Sequence, residues 1–129
     1  MTYYNEQVSK LNAELYSKEY LTSQIVRAKH FIDQHYADKI ILGDMAAKAN
    51  MSKFHFQRIF KSLYGRTPGQ HLRDTRIARA KILLQQGMSV SEVCASVGFD
   101  STTSFAGLFR RNTGSSPSAF LKKMEKKQY

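Results

Sequence analysis

The sequence predicts an all-α protein made of two helix-turn-helix subdomains joined by a long central helix, and three observations predict it. Apolar residues recur at helical spacing along nearly the whole chain, with no alternating strand pattern. The few Gly and Pro fall between those periodic stretches, where they act as stops and starts. The stretch Ser52 to Leu72, SKFHFQRIFKSLYGRTPGQHL, is written again as STTSFAGLFRRNTGSSPSAFL, Ser101 to Leu121.

The elements follow in order. Val8, Leu11 and Leu15 suggest a short amphipathic helix within the first twenty residues, and Ile25, Ala28, Phe31, Ile32 and Tyr36 mark a second, stronger one. Leu42, Met45, Ala46 and Ala49 make a third. Ile41 stands where Ser or Thr would cap it, so its first turn is expected to fray. Ser52 caps the next helix, about 53–64, and Gly65 stops it. Thr67-Pro68 opens the long helix, with Thr as cap and Pro at the first position, and it reaches about Gln86 before Gly87. Ser89 and Glu92 form a capping box for a helix ending near Val97. Ser101 caps the helix of about 102–113, Gly114 ends it, and Ser116-Pro117 begins the last. The expected division is an N-terminal amphipathic segment (1–20), a first helix-turn-helix subdomain (21–68), a linker helix (69–86), and a second subdomain with a basic tail (87–129).

The repeat carries the turn as well as the helices. Ser52, Phe56, Phe60, Gly65, Pro68 and Leu72 match Ser101, Phe105, Phe109, Gly114, Pro117 and Leu121. Upstream, one residue out of register, Met45-Ala46-Ala47 meets Val93-Cys94-Ala95 and Asn50 meets Gly98. Gly and Asn most readily accept the left-handed backbone that a tight turn between two short helices needs. Short helix, turn, apolar residue, Ser cap and second helix is the plan of a helix-turn-helix.

Charge is distributed as that repeat is. Twenty Lys and Arg oppose ten Asp and Glu. Met51 to Ala80 carries a net of +6 and Ser101 to Tyr129 a net of +5, while the remaining segments lie within one charge of zero. A surface that meets phosphate twice is expected to look like this. At 129 residues the chain buries only a modest core, and no run approaches the length of a membrane span. The start, MTYYNEQVSK, lacks the basic and apolar regions of a secretion signal, so a cytoplasmic location is expected. Cys94 sits at a small-residue position of an apolar pattern and reads as a buried structural thiol.

Helical projection separates two faces of the segment after Ser52. Phe56, Ile59, Phe60 and Leu63 fall on one arc, which must be buried, and Phe54, Gln57, Arg58 and Lys61 lie opposite. That second face combines an Arg fork suited to guanine, a Gln suited to adenine, an apolar surface for a thymine methyl, and a cation for phosphate. Two blander readings stand beside it: Phe54 packs against the N-terminal segment, and Gln57 and Arg58 are ordinary solvated side chains. In the second copy the same projection presents Thr103, Ala106, Gly107 and Arg110 opposite Phe105, Leu108 and Phe109. Ala106 and Gly107 cannot reach a base edge with a side-chain hydrogen bond, so the scaffold is repeated and the reading chemistry is not.

With these residues in place, the chain resembles the AraC/XylS family of bacterial transcription regulators. The resemblance runs from about Ile25 to Leu121, and its most specific part is GFDSTTSFAGLFRRNTGSSP, Gly98 to Pro117. The helix RDTRIARAKILL, Arg73 to Leu84, is similar to that family's central helix. The resemblance implies two homeodomain-like helix-turn-helix units that place recognition helices in successive major grooves of a promoter. It implies base contacts at Phe54, Gln57 and Arg58 in the first unit, and at Thr102, Thr103 and Gly107 in the second. The departure at Ala106 and Gly107, where the family commonly has polar or basic residues, leaves the first unit as the stronger reader. Expected phosphate contacts are Ser52, Lys53, Lys61, Arg66, Thr67 and Arg76, then Ser101, Arg110, Arg111 and Ser116. The partner implied is double-stranded promoter DNA, with RNA polymerase a candidate second one; from the residues themselves no cofactor, metal, membrane or small-molecule ligand is expected. A central helix of about 25 Å, at 1.5 Å per residue, is a plausible spacer for sites about 34 Å apart once the flanking subdomains add their width.

Other classes fit less well. The four His make no metal-ligand spacing with the single Cys, and no phosphate loop or nucleophile motif occurs, so catalysis is not expected. A helical protein-interaction module, or a binder of nucleic acid without sequence preference, remains the alternative; salt-dependent binding to duplex against single strand separates them. Whether the chain is a whole regulator or the output part of a larger one is open in the sequence.

Overall fold

The computed structural model describes the backbone of residues 3–127 and the side chains of Gln7 and residues 18–125. Its elements are α1 (Tyr3–Gln34), α2 (Leu42–Lys48), α3 (Lys53–Tyr64), α4 (Pro68–Gln85), α5 (Val90–Ser96), α6 (Thr102–Thr113) and α7 (Pro117–Lys127), with no strand among the described residues. The fold is all-α. The two expected N-terminal helices are one continuous helix of 32 residues. The reason is visible in its composition: neither Gly nor Pro interrupts Tyr3 to Gln34, so the change in phase of the apolar stripe ends nothing. The Val8, Leu11 and Leu15 stripe lies outside the described side chains.

The four serine caps act where the sequence put them. Ser52 Oγ accepts from the His55 N–H at 3.2 Å, Ser89 Oγ from Glu92 at 3.2 Å, Ser101 Oγ from Ser104 at 3.1 Å and Ser116 Oγ from Ala119 at 3.2 Å. Gly65 and Gly114 end α3 and α6 in the left-handed conformation at φ 75° and 82°. Ile41 offers α2 no side-chain acceptor, but the Asp44 carboxylate accepts from the Ile41 N–H at 2.9 Å, which anchors the turn expected to fray.

The repeat is one turn built twice. Asn50 at φ 55° and Gly98 at φ 93° are both left-handed. On either side of them the Met51 N–H donates to the Ala46 carbonyl and the Phe99 N–H to the Cys94 carbonyl, each at 3.1 Å. This closure satisfies carbonyls that the ends of α2 and α5 would otherwise leave orphaned.

The chain divides into two compact units, one of Met1–Ile32 with Ile41–Pro68, the other of Asp33–Ile40 with Gly69–Tyr129. This differs from the four-part division read from the sequence, since the linker helix and the eight residues after Ile32 cluster with the second helix-turn-helix. In the first unit Ile25, Ala28 and Ile32 of α1 are buried together with Met45, Ala46, Ala49, Phe56 and Phe60. The second is centred on Ile77, Ala80, Leu84, Val93, Cys94, Val97, Phe105 and Phe109. Phe56 and Phe60 are fully buried with ring centroids 5.7 Å apart, and so are Phe105 and Phe109, so α3 and α6 each bury the same aromatic pair.

The segment Asp33–Ile40 is held in the second unit by side chains of α4. His71, 4% exposed, meets the Asp33 carboxylate at 2.6 Å. Arg76 Nε and Nη2 donate to the carbonyls of Tyr36 and Asp38 at 2.6 and 3.0 Å. Gly98 packs so closely here that a Cβ on it would lie 2.7 Å from the Ala37 carbonyl oxygen.

Candidate nucleic-acid interface

On α3 the buried face is narrower than the projected arc. Phe56 and Phe60 are fully buried and Ile59 is half-buried, but Leu63 is 45% exposed. Leu63 is three residues past Phe60, about 60° round the helix. From that edge it lines a groove with Lys18, Leu21, Thr22, Arg58, Ile59 and Ser62 instead of entering the core.

The opposite face is as open as base reading requires. Phe54 is 75% exposed, so packing against the N-terminal segment is not its environment. Gln57, Arg58 and Lys61 are exposed beside it. Phe54, Gln57, Arg58, Lys61 and Thr67 line one shallow cleft of about 330 Å³, which brings together four side chains of α3 and the residue that precedes α4. Every residue of that lining was singled out from the sequence. What the sequence reading missed is a contact within the face: the Arg58 guanidinium lies over the Phe54 ring at 5.8 Å from its centroid. The i, i+4 spacing of an aromatic and a cation was the available signal.

The remaining first-unit residues are placed as follows. Ser52 and Lys53 are exposed at the start of α3, and Arg66 is half-buried in the turn before Thr67. The Ser52 oxygen is occupied as a cap, which leaves its hydroxyl proton to donate to a phosphate. Arg76 corrects the sequence reading. It is half-buried, donates to the Tyr36 and Asp38 carbonyls and stacks over Phe99 at 5.6 Å, so it ties α4 to its own unit instead of offering a guanidinium to phosphate. Arg79 behaves similarly toward Tyr36, donating to its hydroxyl at 3.3 Å. Arg76 and Arg79, both counted in the basic stretch Met51 to Ala80, are thus engaged by the fold, and composition could not say so.

In the second unit Thr102, Thr103, Gly107, Arg110 and Arg111 are exposed along α6 and Ala106 is half-buried, while Phe105 and Phe109 are fully buried. Nothing lies within 4 Å of the place where a Gly107 side chain would begin. Ser101 caps α6 and also donates to the Ser104 hydroxyl at 2.9 Å, so it has less to give a phosphate than Ser52. Ser116 is half-buried as the cap of α7. Burial pushes the Cys94 thiol up from its ordinary pKa, with Asp100 adding to the effect, which agrees with a structural residue. Among the described residues no group of three or more His, Cys, Asp or Glu is arranged to hold a metal ion, and no helix is long and apolar enough to cross a membrane.

Comparison with known proteins gives this face its context. A family model described as a helix-turn-helix domain matches residues 45–123. The MmsAB operon regulatory protein of Pseudomonas aeruginosa is 37% identical over 95 residues, which cover 73% of this chain and 31% of that protein. The probable transcription factor PqrA of Proteus vulgaris is 34% identical over 82 residues, covering 63% of this chain and 67% of PqrA. Among solved structures, the DNA-binding domain of AdpA, a global transcriptional factor solved in complex with a target DNA, superposes with a TM-score of 0.77. It is 33% identical and is matched over 81% of this chain and 95% of that one. The chain spans 31% to 46% of the length of the first curated relatives. Doubled turns, paired aromatic anchors and these likenesses agree: the chain belongs to the AraC/XylS family of helix-turn-helix transcription regulators.

Proposed function

We propose that this chain regulates transcription by binding double-stranded promoter DNA in a sequence-dependent way, with α3 as the principal reader and α6 mainly as a holder. The observation that carries the reading is the two-faced character of α3: Phe56 and Phe60 are fully buried while Phe54, Gln57, Arg58 and Lys61 line one open cleft. Arg58 can make paired hydrogen bonds to guanine and Gln57 to adenine in a major groove, and the exposed Phe54 ring stands on the same face beside the Arg58 guanidinium. Ser52, Lys53, Lys61, Arg66 and Thr67 then meet the flanking phosphates, which set register without carrying sequence.

On α6, Thr102 and Thr103 offer hydroxyls and methyls, and Gly107 lets backbone approach the groove closely. Ser101, Arg110, Arg111 and Ser116 supply phosphate contacts in a neighbouring groove. The relatives' printed roles as regulators support action in transcription; a cytoplasmic location and RNA polymerase as second partner complete the proposal. Selection from a random duplex pool at fixed salt tests the proposal, with the enriched site then compared as duplex and as single strand. Enrichment of one site, bound as duplex and weakened by salt, is the expected result. Recovery of unrelated sequences with equal affinity would reduce the chain to a non-specific binder.

A further inference from the structure

The ring of Phe54 and the guanidinium of Arg58 occupy the same exposed face one helical turn apart, with the guanidinium carbon 5.8 Å from the ring centroid. Arg58 also stands between two depressions. On one side it lines the cleft with Phe54, Gln57, Lys61 and Thr67; on the other it lines the groove with Lys18, Leu21, Thr22, Ile59, Ser62 and Leu63. An exposed Arg has many rotamers, and only those directed into the cleft leave its fork beside Gln57. Among the described residues no carboxylate pairs with Arg58, so the Phe54 ring is the group that favours the cleft side.

From this contact we infer that Phe54 is a positioning residue for Arg58: its ring holds the guanidinium plane on the cleft side of α3, and so sharpens discrimination at the base pair Arg58 reads. The inference rests on the base-reading role proposed for Arg58 and adds to it, because a ring that only met a thymine methyl would act independently of Arg58. It also explains why an aromatic residue stays 75% exposed among polar neighbours. A flat face stacks with a guanidinium plane, and an aliphatic side chain of similar volume does not.

A double-mutant cycle on the full chain tests it, using the duplex enriched from the random pool and affinities at one salt concentration. Phe54→Ala should weaken binding about two- to fivefold, the ratio expected of an exposed cation–π contact. It should also reduce the preference for the natural base pair beneath Arg58. Phe54→Tyr should restore both, and Phe54→Leu neither. In the Arg58→Ala background, Phe54→Ala should change affinity by less than about 1.5-fold, since there is no guanidinium left to place. Thermal unfolding of each variant checks that the fold is intact.

Two results would overturn the inference in different ways. If Phe54→Ala costs the same with or without Arg58, and uracil in place of one thymine abolishes that cost, the ring reads a methyl group itself and positions nothing. If Arg58→Ala leaves the preference at every base pair unchanged, the base-reading role of Arg58 fails first and the positioning role falls with it.

Discussion

Replacing Gly98 with Ala should cost more stability than the same change at a left-handed glycine that has open space around it. Two costs combine at Gly98. A residue with a Cβ loses roughly 1–2 kcal/mol on entering the left-handed region, and Gly98 lies at φ 93°. The new methyl would also lie 2.7 Å from the Ala37 oxygen, 3.0 Å from its carbonyl carbon and 3.1 Å from its Cα. All three are backbone atoms, so no side chain can rotate aside, and overpacking of this kind costs about 1–3 kcal/mol. The total is about 2–5 kcal/mol. Gly65 and Gly114, at φ 75° and 82° with nothing within 4 Å, carry only the first cost and are the internal controls. Urea unfolding followed by far-ultraviolet circular dichroism measures the differences, fitted as two transitions if the units do not melt together. Gly98→Asn separates the two costs: Asn accepts a left-handed backbone, as Asn50 does at φ 55°, but still meets Ala37. The reasoning is refuted if Gly98→Ala costs no more than Gly65→Ala and Gly114→Ala.

Further expectations concern separate parts of the molecule. Phe60→Ala should lose about 3–5 kcal/mol of stability, as for other fully buried aromatics, whereas Phe54→Ala should change it by about 0.5 kcal/mol or less; equal losses in urea would mean the faces of α3 are misassigned. Arg76→Ala should destabilise the second unit by about 1–3 kcal/mol, through the Tyr36 and Asp38 carbonyls it leaves unpaired, and should leave the salt dependence of DNA binding nearly unchanged; a slope reduced by about one would return Arg76 to the phosphate contacts. With Lys53, Lys61, Arg66, Arg110 and Arg111 on phosphates, log K against log salt should fall with a slope of about −4.5, and a slope shallower than about −2 would contradict that footprint. Gly107→Ala, in an open helical position, should stabilise α6 by about 0.5–1 kcal/mol, the reverse of the effect at Gly98, as unfolding midpoints will show. Alkylation of Cys94 should be slow in the folded chain and follow its unfolding, because burial and the raised pKa keep the thiolate scarce; rapid native labelling would show an accessible thiol.

Features set by a few neighbouring residues were legible in the sequence. The Ser52 cap and the Gly65 stop give α3 the bounds 53–64, and Ser101 with Gly114 gives α6 the bounds 102–113, because capping and left-handed exit are local chemistry. The exposure of Phe54 followed from helical phase alone. Features that depend on distant parts of the chain were not legible. Arg76 was counted as a phosphate ligand because the carbonyls of Tyr36 and Asp38 that hold it lie some forty positions upstream. Gly98 could be read as left-handed from its pairing with Asn50, but not as the residue that Ala37 crowds. The break expected near residue 20 failed for a different reason: a change in apolar phase does not stop a helix that contains no Gly or Pro. At the candidate site the residue types were readable, while the contact between Phe54 and Arg58 depends on which rotamer each adopts.

A base-substitution series across one enriched site, with affinities taken at fixed salt, tests the central claim most directly. In the proposed arrangement Gln57 and Arg58 face the first half of the site, while Ala106 and Gly107, their counterparts in the repeat, face the second. Single changes under α3 should cost about 1–3 kcal/mol each, and changes under α6 should mostly cost well below that, with any remainder from thymine methyls at Thr102 and Thr103 or from DNA bendability. Protection of backbone should still extend over both halves, since the phosphate contacts proposed for Arg110 and Arg111 do not depend on sequence. Equal penalties in the two halves would contradict the division of the chain into a reader and a holder.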